Sequence, residues 1–288
     1  MGEVTYLNVG DTTLKVETHG DGEPIIFAHG GPGGNYLSFQ KLVESLNNYK
    51  LVFYDQRGSG DSKRFESPKP ENFTLDKQVN DIEEIRKFLE VDEFILLGHS
   101  WGGSLVTFYT DKYPKRVKKL IIYSGGPETS EMADKKNEAM MSRLPEAEKE
   151  KFNEQMKGLE KLVQSNPRQN LIDKKFGELL HTIVPALERD VSNSQRKING
   201  RFGFWTAKLT NLYMNGFDRE SFIRGLNKFE KPVLITYGEH EPSPLNRFFD
   251  LHDSFLNSTL VKFENSGHQA LFEENELFVK TLRSFLEK

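Results

Sequence analysis

The segment Gly98-His99-Ser100-Trp101-Gly102-Gly103 decides the fold. It follows the apolar run 94–97 and precedes apolar residues at helical spacing. Ser100 stands at the apex with glycine two residues away on either side, as a tight turn between a strand and a helix requires. Backbone passes so close in such a turn that a side chain at either glycine would clash. The segment therefore predicts a strand, a sharp turn and a helix, with the serine hydroxyl held clear of the sheet.

Short, continuous apolar runs on both sides of this turn are typical of strands buried on both faces. They alternate with helical patterns such as the amphipathic segment 75–89. The apolar runs lie at 24–28, 51–54, 94–97 and 232–237, and further strands are predicted at 4–7, 13–17, 117–122 and 259–263. This alternation predicts an α/β fold with a mostly parallel central sheet covered by helices.

The alternation stops near Gly126, and the next hundred residues are charged and helical. It resumes at 232. We therefore predict one core domain, formed by residues 1–127 and 226–288, interrupted by a helical insertion at 128–225.

The composition excludes several functional classes. The 288 residues carry a net charge of −4 with scattered basic residues, and there is no cysteine. Nucleic-acid binding, disulfides and thiolate metal sites are therefore not expected. There is no apolar run of membrane-spanning length and no export signal. We expect a cytoplasmic protein that acts on a small molecule or short peptide, without nucleic-acid or membrane partners.

Serine is a weak nucleophile that needs a base, and the base needs an orienting acid. His268 follows the predicted strand 259–263, and Glu241 follows the predicted strand 232–237. The order Ser100, Glu241, His268 is the chain order of serine, acid and histidine in this type of fold. We predict these three residues as the catalytic triad, with Glu239 and Glu128 as alternatives for the acid.

Acyl transfer also requires backbone N–H groups that stabilise an oxyanion. The N–H of Trp101, directly after the nucleophile, is one predicted donor. The glycine-rich loop 29–34 offers the other, and Gly31 is the predicted donor because Pro32 has no N–H. This loop matches no phosphate-binding motif, and no H-E-x-x-H occurs, so we expect neither a cofactor nor a metal.

Four blocks together resemble the α/β-hydrolase superfamily and, within it, the proline iminopeptidase-like group. They are H-G-G-P-G-G at 29–34, D-Q-R-G-S-G-D-S at 55–62, G-H-S-W-G-G at 98–103 and S-G-H at 266–268. The resemblance covers the core and implies an α/β-hydrolase fold in which the insertion forms a cap over the site. It implies the same roles for Ser100, His268, Gly31 and Trp101, and structural support from the loop that holds Arg57.

The resemblance also exposes two departures. The group commonly has aspartate as the triad acid, where this chain has Glu241, and often a further glutamate directly after it, where this chain has Pro242. That further glutamate holds the free amino end of the substrate. Three glutamates of the insertion are alternatives for this charge, namely Glu146, Glu178 and Glu188.

The resemblance implies a serine hydrolase that works through an acyl-enzyme, with proline iminopeptidase-like release of N-terminal residues as the favoured activity. A carboxylesterase or lactonase is an alternative with the same triad, and a non-catalytic ligand receptor is an alternative of another class. Phe204 and Trp205 are the predicted substrate-binding residues, within an aromatic cluster that includes Tyr213.

Overall fold

A computed structural model describes residues 2–165, 168–191, 198–212 and 216–288. Its strands are β1 (Glu3–Val9), β2 (Thr12–His19), β3 (Glu23–Ala28), β4 (Tyr49–Tyr54), β5 (Phe94–His99), β6 (Val117–Tyr123), β7 (Val233–Gly238) and β8 (Ser258–Phe263). They form one eight-stranded sheet in the order β1-β2-β4-β3-β5-β6-β7-β8. Strand β2 runs antiparallel to its neighbours β1 and β4, and the other pairs are parallel. The predicted α/β fold with a mostly parallel sheet is confirmed.

Helices cover the sheet. The α-helices are α1 (Leu75–Phe88), α2 (Trp101–Lys112), α3 (Ser130–Arg143), α4 (Glu146–Gln164), α5 (Gln169–Ile183), α6 (Phe204–Leu212), α7 (Arg219–Arg224), α8 (Asn246–Ser254), α9 (Ala270–Glu273) and α10 (Asn275–Leu286). Short 3-10 helices lie at Leu37–Leu42, Pro70–Asn72, Pro114–Arg116, Val184–Leu187 and Gly225–Lys228. Among the described residues, no helix is both long enough and apolar enough to cross a membrane.

The central strands explain the continuous apolar runs, because alternate side chains enter two different cores. Ile26 and Leu96 are fully buried in one core, which helices α1, α2 and α8 complete. Phe27 and Leu97 point into the opposite core, which α10 and the 3-10 helix Leu37–Leu42 complete. Burial of each such side chain stabilises the fold by about 1.5–3 kcal/mol. Both faces of the sheet are therefore covered, and the polar loops lie at the ends of its strands.

Helices α3 to α7 lie in the insertion between β6 and β7. Most of them pack in small clusters of their own, around Met140 and around Leu159. Helix α7 differs, because Ile223 is part of a sheet core and Phe222 contacts Phe108 of α2 at a ring separation of 4.8 Å. The boundary at 225 stays a prediction, and α7 contacts the core rather than the insertion clusters.

The insertion contacts the core at the loops that follow β3 and β4. The N–H of Gly203 donates to the Gly33 carbonyl at 2.8 Å, and the Asn35 amide donates to the Asn199 carbonyl at 2.8 Å. The Thr206 hydroxyl donates to the Arg57 carbonyl at 3.1 Å. Segment 199–206 therefore closes onto the glycine-rich loop.

Candidate active site

The turn between β5 and α2, residues 98–103, is termed the elbow. Ser100 has φ of 55° and ψ of −120°, a conformation that costs a non-glycine residue free energy and persists only where its surroundings enforce it. A Cβ on Gly98 would lie 2.1 Å from the Gly102 carbonyl oxygen, and one on Gly102 would lie 2.0 Å from the Ala28 carbonyl oxygen. Both distances are far inside van der Waals contact. The two glycines therefore permit the close packing that holds Ser100 in its turn.

Residues 265–269, termed the histidine loop, follow β8 and bring His268 to Glu241. The imidazole Nδ1 lies 2.8 Å from Glu241 Oε2 and 3.0 Å from Oε1. The Glu241 side chain is fully buried, and 6% of the His268 side chain is exposed. Since a carboxylate only accepts, Nδ1 carries the proton and Nε2 of the neutral ring is left as the basic nitrogen.

The two alternative acids have other partners. Glu239 forms an ion pair with Lys262 at 2.9 Å. Glu128 forms ion pairs with Lys136 and Arg247, each at 2.6 Å. Burial alone would raise the pKa of Glu128, but these two cations outweigh it and lower the pKa to about 2. Of the three candidate carboxylates, Glu241 is the one in contact with His268.

The elbow and the histidine loop meet directly through His99. Its Nε2 donates to the carbonyl oxygen of His268 at 3.1 Å, and the two rings are 5.0 Å apart. The His99 ring also packs against Tyr123 at 4.3 Å. This bond between the residue before Ser100 and His268 was not predicted from the sequence.

The two predicted oxyanion donors belong to segments that adjoin Ser100. Trp101 is the first residue of α2, and the N–H groups of a first helical turn have no partner within the helix. The glycine-rich loop passes Ser100 so closely that a Cβ on Gly30 would lie 3.1 Å from the serine Cβ. Gly31, the next residue, has φ of 131°. The loop of the second predicted donor is therefore adjacent to the nucleophile candidate.

A chain of hydrogen bonds through Gln56 connects this loop to the elbow, and sequence reasoning missed it. The Trp101 indole donates to Gln56 Oε1 at 3.1 Å, and Gln56 Nε2 donates to the His29 carbonyl at 2.7 Å. The backbone N–H of Gln56 donates to His29 Nε2 at 3.0 Å, and His29 Nδ1 donates to the Gly30 carbonyl at 2.8 Å. Burial lowers the pKa of His29 to about 4, so its ring is neutral at pH 7. Only the neutral ring can accept from Gln56 while donating to Gly30.

Arg57 is buried within a network of ion pairs and hydrogen bonds. Its guanidinium is 3% exposed and donates to both carboxylate oxygens of Asp81, at 2.8 and 2.6 Å. It also donates to Asp11 and to the Asn72 carbonyl. These contacts anchor the loop after β4, which carries Gln56, to α1.

The two predicted substrate-binding aromatic residues pack within the insertion. Phe204 contacts Phe176 at a ring separation of 5.7 Å and Trp205 at 5.2 Å. The Lys208 ammonium lies over both Phe204 and Trp205. These contacts belong to the Leu159 cluster, and a role in substrate binding stays a prediction. Tyr213 lies outside the described residues.

The three glutamates of the insertion have different surroundings. Glu146 is exposed and pairs with Lys149, and Glu178 pairs with Lys175 on the surface of α5. Glu188 is buried and follows Leu187, whose carbonyl accepts from the His268 N–H at 2.7 Å. Of the three, Glu188 is the one next to the histidine loop.

Metal ligands do not converge anywhere in the described ranges, where no group of three or more His, Cys, Asp or Glu side chains is placed to hold an ion. The chemistry that the described site offers is that of a serine, a buried histidine–carboxylate pair and backbone donors.

Comparison with known proteins assigns the class. Residues 23–275 match the family model described as "alpha/beta hydrolase fold". The chain is 30% identical to a proline iminopeptidase of Thermoplasma volcanium over 279 residues, which cover 90% of this chain and 87% of that one. It is 29% identical to a proline iminopeptidase of Saccharolobus solfataricus, with 93% and 86% covered. An esterase from Exiguobacterium antarcticum superimposes with a TM-score of 0.71 at 21% identity over the full length of both chains, which shows the shared fold.

The chain is thus an α/β hydrolase. Within that family it belongs to the proline iminopeptidase-like proteins.

Proposed function

We propose that this protein is a serine hydrolase that forms an acyl-enzyme on Ser100. The observation that carries the proposal is the buried Glu241–His268 pair, whose loop is bonded to the residue before a serine held at φ of 55°. A half-buried serine at a strained turn, bonded through its neighbour to the loop of an imidazole that a carboxylate orients, supports nucleophilic acyl transfer.

The proposed reaction gives each of these groups one role. His268 Nε2 takes the hydroxyl proton while Ser100 Oγ attacks the substrate carbonyl carbon. The N–H groups of Gly31 and Trp101 stabilise the oxyanion. Collapse of this intermediate breaks the bond to the leaving group, which takes the proton from His268. Water then hydrolyses the acyl-enzyme through the same steps, and Glu241 stabilises the imidazolium each time it forms.

We propose N-terminal peptide cleavage of the proline iminopeptidase type as the activity. Relatives of that name match almost the whole chain, which supports the assignment. Hydrolysis of a small ester is the second candidate, because Pro242 stands where the group often has a glutamate for the substrate's amino end. An ester needs no such carboxylate.

Two measurements test the proposal. A fluorophosphonate probe should label wild-type protein at Ser100, located by peptide mass spectrometry, and should not label the Ser100→Ala variant. Hydrolysis of prolyl p-nitroanilide and of p-nitrophenyl acetate should then be compared. We expect turnover of the prolyl amide. Turnover of the ester alone would select the second candidate, and absence of labelling would favour a non-catalytic receptor.

A further inference from the structure

We propose that Glu273 is a positioning residue for His268, and that its carboxylate couples the histidine loop to the insertion. The coupled part of the insertion is residues 186–189, termed the cap segment. The proposal rests on the role of His268 as the base. Glu273 lies outside the proposed triad, and its proposed role is to fix the backbone that carries His268.

The Glu273 carboxylate accepts hydrogen bonds on both sides of His268. Its Oε2 accepts from the N–H of Gly267 at 2.9 Å and from the N–H of Gln269 at 3.2 Å. Helix α9, which carries Glu273, begins two residues after His268 and returns the side chain to the loop. The Gln269 N–H lies in the peptide directly after His268, and the Gly267 N–H lies in the peptide between Ser266 and Gly267. The two bonds therefore fix the loop on both sides of His268 and restrict the direction of its side chain.

The second carboxylate oxygen binds the cap segment. Oε1 accepts from the N–H of Arg189 at 2.6 Å. The same segment contacts the histidine loop at two further points: the Leu187 carbonyl accepts from the His268 N–H at 2.7 Å, and the Arg189 guanidinium donates to Asn265 at 2.9 Å. One carboxylate therefore connects the base and the cap.

A helix of the insertion extends this coupling to the acid. Arg143, at the end of α3, donates to the Ala186 carbonyl at 3.3 Å and to the Glu241 carbonyl at 3.2 Å. The cap segment is thus bonded to the loops of both His268 and Glu241. A displacement of the cap segment would therefore change the positions of His268 and Glu241 relative to each other.

Only a carboxylate suits this position. Three N–H donors point at its two oxygens, and a glutamine would turn its NH₂ toward at least one of them. Burial and the nearby Glu188 raise the pKa of Glu273, while the three N–H groups oppose that rise. The nearby positive charge of Arg143 also favours the ionised form, as does the partial positive charge of the N–H groups.

The test compares Glu273→Gln with Glu276→Gln, an exposed position on α10. For each variant, the rate of fluorophosphonate labelling at Ser100 and the steady-state constants on the substrate accepted by wild type are measured from pH 5 to 9. We expect Glu273→Gln to reduce the labelling rate and kcat by about 10- to 100-fold with KM changed less than about threefold, because misplacement of a reacting group acts on the chemical step. Glu276→Gln should match wild type in its labelling rate, kcat and KM.

A wild-type labelling rate and a wild-type kcat in Glu273→Gln would overturn the inference while leaving the proposed function intact. Failure of wild-type protein to label at all would overturn the proposed function and the inference with it. These two failures are distinguishable because the wild-type measurement comes first.

A second pair of variants covers the case in which Glu273→Gln does not fold. Arg189→Pro removes the N–H that Oε1 accepts, and Arg189→Ala keeps it while removing the side-chain bond to Asn265. Glu188 has φ of −93° and ψ of 164°, which suits a residue that precedes proline. We expect labelling to slow by about 3- to 10-fold in the proline variant and by less than about twofold in the alanine variant. Equal rates in the two variants would overturn the coupling between cap and base.

Discussion

The elbow and the histidine loop each carry one reacting group, but different forces hold them. The elbow is fixed by backbone packed against backbone, where Gly98 and Gly102 leave room for carbonyl oxygens near 2 Å from where a Cβ would be. The histidine loop is fixed by polar side chains, because Glu241 binds the ring and Glu273 binds the flanking N–H groups. The elbow is held by close steric packing, and the histidine loop is held by charge-assisted hydrogen bonds.

This difference determines how each region responds to change. Close packing in the elbow is disrupted when an atom is added, because the whole turn must then move. The hydrogen bonds of the histidine loop are lost when an oxygen or a charge is removed, while the surrounding fold remains packed. Substitutions in the elbow should therefore reduce the free energy of unfolding, whereas substitutions around the histidine loop should reduce turnover first.

The largest expected effect is on the polar side. Glu241→Gln removes the charge that stabilises the imidazolium and turns an NH₂ toward His268 Nδ1. We expect kcat to fall by about 10³- to 10⁴-fold, with thermal stability near that of wild type. Steady-state kinetics on the accepted substrate, with a thermal melt of each protein, measure both.

Glu239→Gln is the matched control, because Glu239 lies in the same loop and pairs with Lys262 at the surface. Its kcat should stay within about twofold of wild type. The opposite ranking of the two variants would refute the assignment of Glu241 as the acid.

Much of the elbow was predictable from the sequence because steric demands restrict residue identity at fixed spacing. Only glycine fits at 98 and 102, so the requirement is visible within six residues, and the buried runs on either side predict the sheet. The supports of the histidine loop leave no comparable pattern. Gln56 is an ordinary amide until the fold brings it to Trp101, and Glu273 is one carboxylate among 43 acidic residues.

The acid illustrates the limit of sequence order. The positions of Glu239 and Glu241 after β7 are equally suited to an acid by chain order alone. What separates them is the direction of each side chain, which places Lys262 beside one and His268 beside the other. Such a direction depends on the loop conformation, including the bond of the His240 N–H to the Ser266 carbonyl at 3.0 Å.

A methyl group in the elbow tests the steric side. Gly102→Ala places its Cβ 2.0 Å from the Ala28 carbonyl oxygen, in backbone that no rotamer change can move. We expect the free energy of unfolding to fall by about 3 kcal/mol, with loss of fluorophosphonate labelling in the protein that still folds. Urea unfolding followed by circular dichroism measures the first effect.

Gly158→Ala provides the control for this substitution. Gly158 lies within α4 with no atom within 4 Å of an added Cβ. Alanine there should stabilise the protein by up to about 1 kcal/mol through helix propensity. If Gly102→Ala unfolds at the same urea concentration as wild type, the elbow is not held by close packing.

The smallest effect comes from His29, which combines both kinds of support by filling space and donating to the loop beside Ser100. Its pKa is lowered by burial to about 4 in the folded protein, from 6.5 in the unfolded chain. As the pH falls below 6.5, the unfolded chain therefore takes up the proton first, and the folded state loses stability until the pH reaches about 4. Between pH 7 and pH 5 this costs about 2 kcal/mol of unfolding free energy.

The His29→Gln variant keeps an uncharged donor and acceptor but cannot titrate. Urea unfolding of both proteins at pH 7 and pH 5 should show a decrease in the wild type that exceeds the variant's by that amount. Equal decreases would contradict the lowered pKa of His29, and with it the acceptance of the Gln56 N–H by a neutral ring.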